Sequence, residues 1–346
     1  MQTRITQMLG IEHPVLSAGM ARVSQADLTA AVSEAGGLGC LGGVSFMPAA
    51  LEAEIAAIRF ATAKPFAVNL LLPDSLTSDK DDNWRPVREL WKKLEPSDRS
   101  KMAGVEPLLT PGAVAGQVEV VLEAAPAMVV LTFAAPAQFI EDCHRRGILV
   151  AALVGSTGRA VAAQRAGADI VIAQGTEGGG HTGHTSTFPL IPAIVDRVKV
   201  PVAAAGGITD GRGLAAALAL GAEGVWVGTR FIATPEAYGH PGFKQRIVSG
   251  ESKELTLTRA YTGKPLRAFR NDWTARAESG DLVPQAFPGQ YAAAGVRVET
   301  GYQDGDIKFG MMPAGQGISS IHEILPAGEI VRRMVTDAER ILARLA

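Results

Sequence analysis

Cysteine is almost absent: Cys40 and Cys143 are the only two in 346 residues, far apart and without Cys-x-x-Cys spacing. That excludes a disulfide framework or a thiolate zinc site, and a reducing cytoplasm is the expected setting. Blocks of like charge are missing too. The formal net charge is −2, so no basic surface exists to neutralise phosphates and no nucleic-acid partner is expected. Apolar runs are strand-length or broken by glycine and charge, which predicts no membrane span. The first residues lack the charged, apolar and small-residue succession of a secretory leader. Neither His-x-His nor His-Glu-x-x-His occurs, so no metal site is expected. Solenoid repeats and low-complexity tracts are likewise lacking.

What is present is a chain built to fold. Hydrophobic residues make up 47% and charged residues 20%, enough apolar material for a large core and too little charge for wholesale disorder. Short β-like runs at 14–17, 37–41, 65–69, 128–132, 149–154, 170–173, 202–205 and 224–227 alternate with helix-period segments. That rhythm is the mark of βα units around a parallel sheet. Eight such strands fit a closed (β/α)8 barrel, an α/β fold, better than an open sheet. Helices are predicted at 24–35, with Ser24 as N-cap, at 48–61, and at 328–345. A polar segment from 72 to about 107 interrupts the rhythm with a loop and a helix near 87–94. We read residues 1–234 and 315–346 as the barrel and 235–314 as a mostly helical insertion over its catalytic face.

Function in such a barrel gathers at the C-terminal strand ends, and the glycine signals fall there. After the sixth strand comes Gln174-Gly175-Thr176-Glu177-Gly178-Gly179-Gly180-His181-Thr182-Gly183. Successive glycines bring backbone N–H groups close to a flat or anionic ligand, and a histidine set against that surface can bind substrate or move its proton. Gly206-Gly207 after the seventh strand and Gly228-Thr229 after the eighth together suit a phosphate. Asn69 and Gln174 end strands three and six; each amide suits the mixed edge of a flavin, or simply caps its loop. Ala18-Gly19-Met20 ends the first strand, where small residues let a planar ring lie against backbone, although Met20 is more ordinarily a packing residue. His184 reads as an exposed loop residue, and His13, His144, His240 and His322 as structural. Arg259, Tyr261, Arg267, Arg270 and Trp273 of the insertion either reach a ligand or lie on solvated faces.

The loop containing His181 resembles the signature loop of the nitronate monooxygenases, formerly called 2-nitropropane dioxygenases. The stretch 201–237, with its Ala205-Gly206-Gly207-Ile208-Thr209-Asp210-Gly211-Arg212-Gly213 and Gly228-Thr229-Arg230-Phe231, is similar to that family's flavin phosphate region, and 14–39 and 64–72 match its opening pattern. The resemblance implies an FMN-dependent TIM barrel. Ala18, Gly19 and Met20 would flank the isoalloxazine, Asn69 and Gln174 would hydrogen-bond the cofactor, Gly180, Gly206, Gly207, Gly228 and Thr229 would hold its ribityl phosphate, and Gly179 would also bind the cofactor. His181 would be the catalytic histidine. Gly315-Gln316-Gly317 resembles a late glycine–glutamine turn of the same family. The family loop usually has Ala where Gly178 stands, and the polar segment around 74–107 is longer than the family pattern, which bears on substrate access.

The activity implied is oxidation of alkyl nitronates, and of nitroalkanes if His181 first removes the α-proton, with molecular oxygen as co-substrate. The same scaffold resembles NAD(P)H-dependent flavin reductases acting on quinones or enoyl thioesters, and the sequence leaves that alternative open. An inosine-monophosphate-dehydrogenase-like reading needs a cysteine nucleophile in a mobile loop, whereas Cys40 falls in a predicted strand and Cys143 in a helix. A flavin-binding sensor without turnover would have no need of His181. A monomer or homodimer with small-molecule partners is expected.

Overall fold

The computed structural model describes residues 1–72, 85–102, 105, 111–132 and 136–345. Eight parallel strands form one sheet: β1 (Val15–Ser17), β2 (Gly39–Leu41), β3 (Phe66–Leu71), β4 (Met128–Thr132), β5 (Leu149–Val154), β6 (Ile170–Gln174), then β8 (Val202–Ala205) and β9 (Gly224–Val227). β7 (Gly180–His181) lies outside it, in the loop after β6. Neighbours follow chain order, β9 pairs with β1 in parallel, and a parallel bridge Leu16↔Leu38 joins β1 to the segment entering β2. The sheet therefore closes, as the eight buried runs predicted. The fold is a TIM barrel.

Side-chain alternation along each strand builds two cores. Leu16, Val130, Ile170, Ile172 and Trp226 pack within the barrel, and Ile5 and Leu9 of the helix Arg4–Leu9 join that cluster. Val171, Ala173, Val225 and Val227 face outward onto the helices. The helix Pro48–Ala61 shows why these segments lie as they do. Pro48 sits in its first turn, where no N–H is needed, and Leu51, Ile55 and Ile58 present one buried stripe. The last helix, Ala327–Leu345, buries Ile330, Val331 and Met334. A Cβ on Gly211 would lie 2.5 Å from Asp337 Cβ, so glycine lets the helix Gly211–Ala219 approach it closely.

Some expectations are corrected. The helix predicted at 24–35 spans Ala26–Glu34 with Gln25 at its N-cap. Ser24 instead turns back: its Oγ donates to Ala18 O (2.7 Å) and accepts from Met20 N (3.1 Å), bracing the turn after β1. Leu345, at the end of the helix predicted at 328–345, is 74% exposed. The insertion contains the helices Pro241–Ser249, Asp272–Ser279, Gly289–Ala294 and Arg297–Gln303, and also a hairpin of β10 (Leu255–Thr258) and β11 (Leu266–Phe269). β11 pairs antiparallel with β7, Leu266 opposite His181 and Arg267 opposite Gly180. Of the polar segment at 72–107, the helices Arg85–Lys93 and Pro96–Lys101 are described; much of the predicted loop lies outside the described residues. Among those residues no helix is long and apolar enough to cross a membrane.

Candidate active site

The C-terminal ends of the strands and the insertion enclose one cavity of about 370 Å³. The barrel residues singled out for cofactor and catalysis line it: Ala18, Gly19 and Met20 after β1, Asn69 in β3, Gln174 ending β6, Gly179, Gly180 and His181 in the following loop, Gly206 and Gly207 after β8, Gly228 and Thr229 after β9. The volume lies in the range of small-molecule and cofactor sites.

One end is made of turns. Gly206 and Gly207 have φ of +99° and +73°, a region L side chains rarely enter. Glu177 anchors Thr187 by accepting from its N–H at 2.8 Å, and the single Thr187 hydroxyl proton is shared between Glu177 Oε2 (2.8 Å) and Gly206 O of this turn (3.0 Å). Across the cavity Gly315 donates its N–H to Thr229 Oγ1 (2.9 Å). Arg230, next in sequence, points elsewhere, with both guanidinium nitrogens 3.0 Å from Glu323 O. An anion at this end would meet glycine backbone and hydroxyls, not a cation. Gly179 has a second reason to be glycine: its Cβ would lie 2.7 Å from the Ala314 carbonyl carbon. Gly315 and Gly317 of the late turn also line the cavity.

The middle of the cavity carries the amides. Asn69 Nδ2 donates to Val130 O (2.9 Å) and Thr132 Oγ1 (3.0 Å), so this nitrogen is committed to β4. Gln174 Nε2 donates to His181 O (2.9 Å), which makes it a brace for the loop. Arg267 braces the same loop from the insertion: Nη2 donates to Thr176 O at 2.9 Å, and its strand pairs with Gly180.

His181 is half-buried in the wall, with Nε2 2.9 Å from Thr262 Oγ1. Burial first, and the Lys264 charge second, push its pKa down to about 4. At neutral pH the imidazole is uncharged and its basic form is available. Thr262 and Lys264 come from the hairpin tip between β10 and β11 and were missed in the sequence. Gly263 between them has φ +79°, and a Cβ there would lie 2.4 Å from Gln285 O, so the tip is locked against the segment before Phe287. Lys264 Nζ sits 4.4 Å from the Phe287 ring centroid.

The outer wall is also insertion-derived, with Phe287, Tyr291, Val298, Tyr302 and Met311. Arg22, from the turn after β1, reaches Glu299 there with two hydrogen bonds, Nε–Oε2 2.9 Å and Nη2–Oε1 3.1 Å. The other insertion candidates stay away from the cavity. Tyr261 donates to Gly310 O, Trp273 Nε1 to Ala260 O and Arg270 Nε to Glu278, while Arg259 is exposed. His184 is exposed, His144 bonds Asp169, and His240 Nδ1 caps its helix by accepting from Gly242 N.

The sequence profile of nitronate monooxygenase matches residues 2–337. The chain belongs to the nitronate monooxygenase family. A Staphylococcus saprophyticus protein described as a "probable nitronate monooxygenase" is 33% identical, with 99% of each chain covered. Among solved structures, FabK from Thermotoga maritima superposes with a TM-score of 0.83 at 33% identity, covering 100% of this chain and 98% of that one. Nitroalkane oxidase from Streptomyces ansochromogenes gives 0.82 at 29% identity, covering 99% of both. Membership makes this protein a flavin-dependent oxidoreductase of the nitronate monooxygenase type.

Proposed function

We propose that this nitronate monooxygenase family member binds FMN across the barrel mouth and oxidises alkyl nitronates with molecular oxygen. The fit to FMN rests on the cavity. Gly206 and Gly207, both at positive φ, together with Gly228 and Thr229, form a cradle with the donor chemistry a phosphate needs. Gly180, at φ +71°, holds a backbone conformation that favours glycine. Ala18, Gly19 and Met20 would lie against the ring, and Asn69 would face its polar edge. Bound there, FMN supplies the electron-transfer chemistry that no side chain offers.

The observation that carries the reading is the placement of His181. Gln174, Arg267 and the β7–β11 pairing hold its loop, and Thr262 meets its ring. A neutral imidazole in that wall serves a nitronate as a hydrogen-bonding partner. Towards a nitroalkane it is a base: the Cα–H bond breaks, its electrons form C=N, the charge moves to the nitro oxygens and the proton goes to the ring. Burial and Lys264 both penalise the resulting imidazolium, so the preformed nitronate is the better substrate.

Oxygen uptake by the purified flavoprotein with ethyl nitronate tests this, alongside anaerobic mixing with NADH and NADPH. Nitronate-dependent uptake without bleaching by either nucleotide is expected. Rapid bleaching without nitronate turnover would transfer the assignment to a reductase of quinones or enoyl thioesters. Gly206→Ala tests the cradle separately. A Cβ at φ +99°, 2.9 Å from Thr187 Oγ1, costs about 1–3 kcal/mol of strain. The variant should purify with less flavin per chain, read as the ratio of visible to 280 nm absorbance.

A further inference from the structure

We propose that Tyr291 and Tyr302 form a polar subsite in the outer wall of the cavity, which receives a neutral hydrogen-bond acceptor, a ketone or ester carbonyl, on the tail of the substrate. The inference rests on the nitronate reading and names its substrate class: nitronates that carry an uncharged oxygen on the carbon chain. Both tyrosines come from the insertion. Tyr302 lies about one turn after Val298 and Glu299 on the helix Arg297–Gln303, so the three share a face, and all three line the cavity. Tyr291 lines it from the preceding helix, Gly289–Ala294. An edge-on contact with Phe243, ring centroids 5.6 Å apart, holds the Tyr302 ring.

These two residues bring donors without acceptors. Neither phenol hydroxyl makes a hydrogen bond among the described residues, although Tyr302 is only 8% exposed. The one sealed side-chain polar atom without a partner among those residues is His13 Nδ1, so both hydroxyls open onto free space, and the space these residues line is the cavity. Burial first, and the charge of Glu299 second, push both phenol pKa values up. Both protons therefore stay in place, and each hydroxyl is a standing donor. A buried donor left unmet carries a desolvation cost that an arriving acceptor relieves. The neighbours select the charge of that acceptor. Arg22 spends Nε and Nη2 on Glu299, at 2.9 and 3.1 Å, and Glu299 acts on both phenols more strongly than Arg22 does. A carboxylate set against the hydroxyls would meet that like charge. A carbonyl oxygen would not, and its two lone pairs can take both protons.

Acetophenone, benzoate and isopropylbenzene share a ring and differ in the tail, which is a neutral carbonyl, a carboxylate or a hydrocarbon of similar shape. Sealed equilibrium dialysis against the flavin-loaded protein gives a Kd for each without any turnover. The acetophenone Kd is expected to rise about two- to tenfold in Tyr291→Phe and in Tyr302→Phe, and about tenfold or more in the double variant, the worth of the lost hydrogen bonds. Isopropylbenzene, with nothing to accept a proton, should show no such rise. Losing a hydroxyl that bonds nothing inside the protein should also leave the urea midpoint in place, which separates a lost donor from a misfolded wall. Benzoate should bind the wild type more weakly than acetophenone does. No acetophenone binding by the wild type, an acetophenone Kd unchanged in the double variant, or benzoate bound as tightly as acetophenone overturns the proposal. Should acetophenone bind through the two tyrosines while ethyl nitronate is not oxidised, the subsite stands and the proposed activity falls.

Discussion

Replacing His181 with Asn is expected to lower kcat/KM for neutral nitroethane by about 10²–10⁴-fold, the usual contribution of a positioned base. For preformed ethyl nitronate the loss should be about tenfold or less, the worth of one hydrogen bond. The asymmetry follows from the chemistry, since only the neutral substrate has a proton to lose. Equal losses on both substrates would remove the base from the mechanism. The pH profile supplies a second readout. With the imidazole at about pKa 4, kcat/KM for nitroethane should climb on the acid side around pH 4 and be level well below the ordinary histidine value of 6.5. The same shift has a thermodynamic consequence with a definite sign. Between pH 6.5 and about 4 the unfolded chain binds a proton at this position that the folded chain does not. The stability contribution is therefore complete above 6.5 and is lost as pH falls towards 4. His181→Asn should flatten that part of the curve in chemical unfolding.

The barrel was legible because fully buried parallel strands read as short continuous apolar runs, and each of the eight predicted runs became a strand of the closed sheet. The glycine loop was legible because its composition has few other uses. Local sequence could not reveal partners set by long-range pairing. Thr262 meets His181 across 81 positions and Arg22 meets Glu299 across 277; neither residue type carries a spacing signal at such distances. The hairpin left a weaker trace in the alternating Leu255-Thr256-Leu257-Thr258, but the Gly/Pro/Arg-rich composition around it favoured a helical reading with loops. Ser24 had the right chemistry for an N-cap, and its hydroxyl was claimed instead by the turn that carries Met20. In each case a tertiary contact overrode a correct local propensity.

Glu299→Gln is expected to cost the fold about 3–5 kcal/mol, measured as a lower urea midpoint. The Arg22–Glu299 pair ties the turn after β1 to the insertion helix Arg297–Gln303, and the two side chains are 14% and 5% exposed. Burial alone would lower the Arg22 pKa, but pairing with Glu299 more than offsets it, and the net shift is upward. The guanidinium thus keeps its charge, and removing its counterion leaves that charge buried without compensation, the most expensive way to break such a pair. Arg22 itself sits at φ +71°, a conformation an arginine adopts only when the surroundings enforce it. Replacing both partners removes the uncompensated charge, so Arg22→Met combined with Glu299→Leu should recover most of the lost stability. If the single Glu299→Gln variant unfolds at the wild-type midpoint, the pair is not what fastens this end of the insertion to the barrel. If the double variant is no better than the single, the cost does not lie in the stranded charge.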